Sequence, residues 1–149
     1  MTNQPISMQD SDPLLCRLLL AEDDEANAMY AEAVLRSCGG SVKWVVDGAQ
    51  ALAALQSEHF DVVFLDVHMP VLDGLQATHS IRSFESEQGR HRVPIVMVTA
   101  SALNHETQQC LAAGADDVLT KPFTIAELRR VLAKVLRPTG TEPRTWRQL

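Results

Sequence analysis

The sequence has no basic excess, no paired-cysteine spacing, no long apolar run and no glycine-rich phosphate loop, and each absence closes off a class of function. Its 13 lysines and arginines are outnumbered by 19 aspartates and glutamates, for a formal net charge of −6 and a pI near 5.3. That balance offers no electrostatic footprint for gripping nucleic acid or an anionic membrane surface, so direct binding to either is not expected. The three cysteines, Cys16, Cys38 and Cys110, are odd in number and lack CxxC spacing, which excludes a disulfide framework or zinc knuckle and suits a reducing cytoplasm. No apolar run approaches the roughly 20 residues of a membrane helix, and residues 1–13 show no signal-like apolar core. Neither GxG nor a P-loop sequence occurs, which argues against a flavin or nucleotide binder. No internal repeat is present.

What the chain does contain is a repeated strand-and-helix pattern. With 149 residues and 46% hydrophobic content it is expected to form one domain with a sizeable core. Residues 1–15, rich in Ser, Asp and Pro, read as a flexible N-terminal segment, and residues 138–149, after Pro138, as a flexible polar tail too short for a DNA-binding fold. Between them, five apolar runs read as strands: 17–21, 41–46, 61–66, 93–99 and 116–120. The run 62–65 is apolar throughout, as in a strand buried on both faces, whereas 41–46 alternates and belongs near a sheet edge. Helical spacing follows each run. Ala26, Met29, Tyr30, Ala33 and Val34 form the apolar stripe expected over 25–38, and a second helix spans 49–57 with Ala51, Leu52 and Leu55 inward. A third opens at Asp73-Gly74 and fades into a solvated polar loop over 85–92. Asn104 is the expected N-cap of a weak helix ending before Gly114, and Thr124 with Glu127 forms the capping box of the last. Such alternation predicts a parallel, doubly wound α/β sheet covered on both faces.

The strand ends are where the chemistry gathers. Glu22, Asp23, Asp66, Thr99 and Lys121 all fall at or just beyond the C-terminal ends of predicted strands, the edge where open parallel sheets bind ligands. Three carboxylates drawn together repel unless a cation is present, which asks for a hard divalent ion; magnesium suits best because it keeps several waters and grips phosphate oxygens. A carboxylate nucleophile can then take a phosphoryl group, with Lys121 and the metal offsetting charge and Thr99 donating a hydrogen bond.

Those landmarks resemble the receiver domain of the two-component response-regulator family over about residues 16–137. They are Glu22-Asp23 after Leu18-Leu19-Leu20, Asp66 in Phe64-Leu65-Asp66-Val67-His68-Met69-Pro70 with Asp73-Gly74 following, Thr99-Ala100, and Lys121-Pro122-Phe123. The resemblance implies a flavodoxin-like five-stranded sheet of order 2-1-3-4-5 with five helices. It implies Asp66 as phosphoacceptor, Mg²⁺ held by Asp23, Asp66 and the His68 backbone carbonyl with Glu22 acting mostly through water, and Thr99, Ala100 and Lys121 around the phosphoryl group. The Lys121-Pro122 bond would be cis. His68 and Ser101 would tune the lifetime of the aspartyl phosphate, and the surface around residues 99–123 would switch. The phosphoryl donor would be the phosphohistidine of a histidine kinase or histidine phosphotransfer protein. Such a domain catalyses its own phosphorylation and dephosphorylation with Mg²⁺ rather than acting as a conventional enzyme, and occurs alone or fused to hybrid histidine kinases.

One position departs from the family. The switch aromatic three residues before the lysine is here Val118. This is the one feature favouring the alternative of a non-phosphorylated pseudo-receiver that acts only as a docking module. A phosphohydrolase with a nucleophilic Asp would need a second acid two residues on, where this chain has His68. Oligomeric state is not legible.

Overall fold

The computed structural model describes residues 16–101 and 103–136; the segments 1–15 and 138–149 read above lie outside the described residues. Five strands, β1 (Arg17–Ala21), β2 (Ser41–Val45), β3 (Val62–Asp66), β4 (Ile95–Thr99) and β5 (Asp117–Thr120), make one sheet in the order β2-β1-β3-β4-β5. Every pair is parallel. The five helices that alternate with them are α1 (Glu25–Ser37), α2 (Gly48–Ser57), α3 (Gly74–Gln88), α4 (Asn104–Ala113) and α5 (Ile125–Val135). The doubly wound expectation and the strand order both hold.

Strand periodicity divides the core in two. Leu19, Ala21, Val63, Leu65, Ile95 and Met97 point to one face and pack with α2, α3 and Cys110 of α4. Their neighbours Leu18, Leu20, Val62, Phe64, Val96 and Val98 point to the other, where α1 and α5 cover them. All five residues of β3 are buried, as its uninterrupted apolar run requires. Burying each such large side chain contributes about 1.5–3 kcal/mol.

Several local expectations are corrected. The buried face of α1 is Ala28, Ala31, Val34 and Leu35, while Met29 and Tyr30 are exposed, both stripes having helical spacing. Of the two alternating sets of the 41–46 run, Val42, Trp44 and Val46 against Ser41, Lys43 and Val45, it is the second that supplies the buried residue, Val45. Helix α3 continues to Gln88 because Glu85 turns inward. Its Oε2 accepts the Val93 N–H at 2.7 Å and its Oε1 accepts from Arg82 at 2.8 Å. The following residues are not simply solvated either: Arg92 and Arg82 both donate to Asp116, at 3.0 Å each, and Arg90 stacks over the Phe84 ring. The N-cap of α4 is Leu103, with no side-chain hydrogen bond, and Asn104 is already inside the helix. The capping box of Thr124 and Glu127 is present, and Asp73 with Gln76 forms another at the start of α3.

The second of these boxes positions the functional end of the sheet. Helix α3 starts so close to β3 that a Cβ on Gly74 would lie 2.4 Å from the Asp66 carbonyl oxygen and 2.9 Å from the Val67 Cα. Only glycine allows that approach, and the Gly74 N–H donates to the Val67 carbonyl at 2.9 Å. Gly74→Ala is therefore expected to lower stability by about 1–3 kcal/mol through backbone displacement. A urea midpoint unchanged from the parent protein would show that α3 can retreat without cost.

Candidate functional site

Parallel pairing brings the ends of β1, β3, β4 and β5 to one edge, and with them the side chains singled out above. Glu22 follows β1 directly. Its N–H donates to Val45 O at 3.0 Å and its own carbonyl accepts from Trp44 Nε1 at 2.8 Å, so the edge strand β2 locks the acidic turn. One residue further on, Asp23 is exposed, while Asp24 caps α1 by accepting from the Asn27 N–H. Asp66 is the last residue of β3 and is buried, with its Oδ1 accepting the His68 N–H at 3.1 Å. Oxygen atoms of Glu22, Asp23 and Asp66 all lie within 4.8 Å of one another.

A single ammonium sits among them. Lys121 Nζ donates to Asp66 Oδ2 at 2.8 Å and to Glu22 Oε1 at 3.1 Å. The Lys121-Pro122 peptide is cis, as the resemblance implied, and the lysine N–H donates to Thr99 O at 2.7 Å. Burial by itself would push the lysine pKa down, but the bond and charge of Asp66, followed by those of Glu22, outweigh it and raise the value. Burial is also the main cause of the raised pKa of Glu22; the Asp66 charge adds to it, and the Asp24 N–H, at 3.1 Å from Glu22 Oε2, works against it.

This donor set fits a hard divalent cation. All three ligands are carboxylates, one lysine offsets only part of their charge, and Asp23 leaves the cluster open to water. Magnesium, with its preference for oxygen ligands and retained waters, suits such a half-open cluster. Beside it lies a cleft of about 370 Å³, whose walls include Tyr30, Ala100, Pro122 and Phe123. Tyr30 donates to the Phe123 carbonyl at 2.9 Å and meets that ring edge-on.

The remaining candidates flank the carboxylates. Thr99 is buried at the end of β4 with its hydroxyl donating to Glu106 Oε1 at 2.8 Å and accepting from the Ser101 N–H at 3.2 Å. Ala100 is exposed and Ser101 partly so. The His68 ring is exposed, 3.5 Å from Glu106 Oε2. Val118 is partly buried on β5 and packs against the core on the α2–α3 side. Two contributors went unnoticed in the sequence, Trp44 and Glu106. The signal for Glu106 was present as an acid in the first turn of the helix that follows Thr99.

A family model described as the response regulator receiver domain matches residues 18–133. The chain is 41% identical over 118 residues to the sensor protein GacS of Pseudomonas syringae, covering 79% of this chain and 13% of that protein. It is 33% identical to the probable histidine kinase 1 of Oryza sativa, over 82% of this chain and 16% of that one. The chain thus spans about a seventh of the length of these relatives. Among solved structures, the receiver domain of the sensor histidine kinase PA1611 from Pseudomonas aeruginosa, with a magnesium ion coordinated in its active site cleft, is 41% identical. The match covers 83% of this chain and 98% of that one, with a TM-score of 0.74. The complex of the Saccharomyces cerevisiae histidine phosphotransfer protein Ypd1 with the receiver domain of its downstream response regulator Ssk1 is matched at 28% identity. Here the TM-score is 0.75, over 80% of this chain and 88% of that one.

The raised Glu22 value has a measurable consequence. Because Glu22 holds its proton more tightly in the fold, its favourable contribution is fully present below the ordinary 4.5 and is lost as pH rises through the folded value. For Lys121 the same sign places the loss above its ordinary 10.5, outside the acid range. In chelator, Glu22→Gln is therefore expected to gain stability relative to the parent as pH rises above the ordinary 4.5. Urea midpoints across that range check this; a relative stability that stays flat or falls would contradict the burial-raised value.

Proposed function

The chain belongs to the response regulator receiver domain family, and from that premise we propose that Asp66 accepts a phosphoryl group in a two-component phosphorelay. The observation that carries the reading is the Lys121 ammonium held between Asp66 and Glu22, which puts a fixed positive charge beside the carboxylate that would attack.

The donor is the phosphohistidine of a histidine kinase or histidine phosphotransfer protein. One Asp66 oxygen forms a bond to phosphorus as the phosphorus–nitrogen bond to the donor imidazole breaks, and the imidazole leaves with that electron pair. Lys121 stays in contact with the carboxylate and the transferring oxygens, limiting charge build-up. The Thr99 hydroxyl and the exposed backbone at Ala100 contact the bound phosphoryl. Asp23, Asp66 and the His68 carbonyl, with Glu22 acting through water, would hold Mg²⁺, which would supply positive charge for the phosphoryl oxygens. Hydrolysis returns the carboxylate: water attacks phosphorus and Asp66 departs as the leaving group. His68 and Ser101 stand at the mouth of that path and set how long the aspartyl phosphate lasts. Phosphorylation then alters the surface around residues 99–123.

The two GacS and histidine kinase relatives support a donor of this class, and the magnesium in the PA1611 receiver supports the choice of metal. A pseudo-receiver that only docks is not favoured, since it would leave Lys121, Thr99 and the three carboxylates without a use. Among the described residues no helix is long and apolar enough to cross a membrane.

Intact mass after incubation with acetyl phosphate, with and without Mg²⁺, tests the assignment. A single phosphoryl adduct is expected that needs Mg²⁺ and disappears in Asp66→Asn. An adduct that survives in Asp66→Asn would move the acceptor elsewhere, and loss of both the adduct and Mg²⁺-dependent beryllofluoride binding would end the phosphoacceptor reading.

A further inference from the structure

We propose that Glu106 is a positioning residue that holds the Thr99 hydroxyl in the unphosphorylated state, and that a phosphoryl group on Asp66 frees the first turn of α4 by taking that hydroxyl away. This rests on the reading of Asp66 as the phosphoacceptor. Thr99 Oγ1 donates to Glu106 Oε1 at 2.8 Å, and the Ser101 N–H donates to Thr99 Oγ1 at 3.2 Å. A hydroxyl has one proton to give. While it is committed to Glu106 it cannot serve a phosphoryl oxygen, so the two acceptors compete for one donor. The other oxygen of Glu106 lies 3.5 Å from His68 Nε2, and the carboxylate therefore bridges the loops on either side of the acceptor.

Helix α4 is the element least able to hold its place without this bond. Of its ten residues only Cys110 is buried, and Leu103 at its N-cap offers no side-chain hydrogen bond. By contrast, α5 has a capping box and buries Leu128, Val131 and Leu132. Few buried apolar contacts and a start without a side-chain cap put α4 at the low-stability end of the fold. The Thr99–Glu106 bond ties that uncapped turn to the rigid end of β4.

Beryllofluoride affinity in excess Mg²⁺ tests the proposal, measured on the full chain for the parent, Glu106→Ala, Glu106→Gln, Thr99→Ala and each Glu106 variant combined with Thr99→Ala. Hydrogen exchange of the amides of residues 104–110 is recorded alongside. Glu106→Ala is expected to bind about tenfold more tightly, because the competing acceptor is gone. Glu106→Gln keeps an acceptor oxygen and gains less. Neither gain survives in the Thr99→Ala background, and the α4 amides of Glu106→Ala exchange faster without beryllofluoride. A gain that persists in the absence of the Thr99 hydroxyl, or equal gains for Ala and Gln, would reduce Glu106 to a repelling charge and overturn the tether. So would no gain in a parent protein that binds beryllofluoride. If Glu106→Ala fails to fold, the Thr99 dependence of the Glu106→Gln gain decides. A parent that binds no beryllofluoride overturns the phosphoacceptor reading and the tether together.

Discussion

One ammonium shared between two carboxylates sets the terms for the functional end of this molecule. Glu22 and Asp66 are both buried, and two negative charges that close in a low-dielectric edge would force protonation or separation. Lys121 offsets part of that repulsion by bonding to each. The compensation is incomplete, since Asp23 adds a third carboxylate and Glu22 keeps a raised pKa. The residual negative charge is what makes the cluster receptive to a divalent cation.

Holding that geometry requires a rigid floor. β3 lies at the centre of the sheet, with β1 and β4 beside it and both faces covered, so Asp66 is anchored on all sides but one. The close approach of Gly74 to the Asp66 carbonyl stiffens the β3–α3 turn, and the Trp44 indole pins the turn after β1. Further from Asp66, Arg82 ties α3 to the sheet by donating to Glu85 and Asp116, the latter also accepting the Ile95 N–H.

The opposite holds on the α4 side. There the helix contributes one buried residue, its N-terminus lacks a side-chain cap, and its connection to the site runs through the Thr99 hydroxyl. A well-packed half beside a loosely seated one is an arrangement in which a small free-energy change at one hydrogen bond can shift what is weakly held.

Much of this was legible from the sequence. Fully apolar runs specify buried parallel strands, and their abrupt ends located Glu22, Asp66, Thr99 and Lys121 on one edge before any coordinate was known. The capping box at Thr124 and the turn at Asp73-Gly74 are local devices, satisfied by residues three or four positions away, so local reading sufficed. Where two faces of a helix had comparable spacing, as in α1, sequence had no means of choosing between Met29 with Tyr30 and Ala28 with Ala31. The polar contacts across the fold were equally hidden: Lys121 reaches Asp66 across 55 residues of chain, Arg82 reaches Asp116 across 34, and Trp44 reaches Glu22 across 22. By itself, then, the sequence determined the alternation of elements and the residue types at each strand end, because periodicity and turn chemistry act between near neighbours. Only the tertiary structure decided which charged and hydroxyl groups bond to one another, because those partners are brought within hydrogen-bond distance by strand pairing and helix packing.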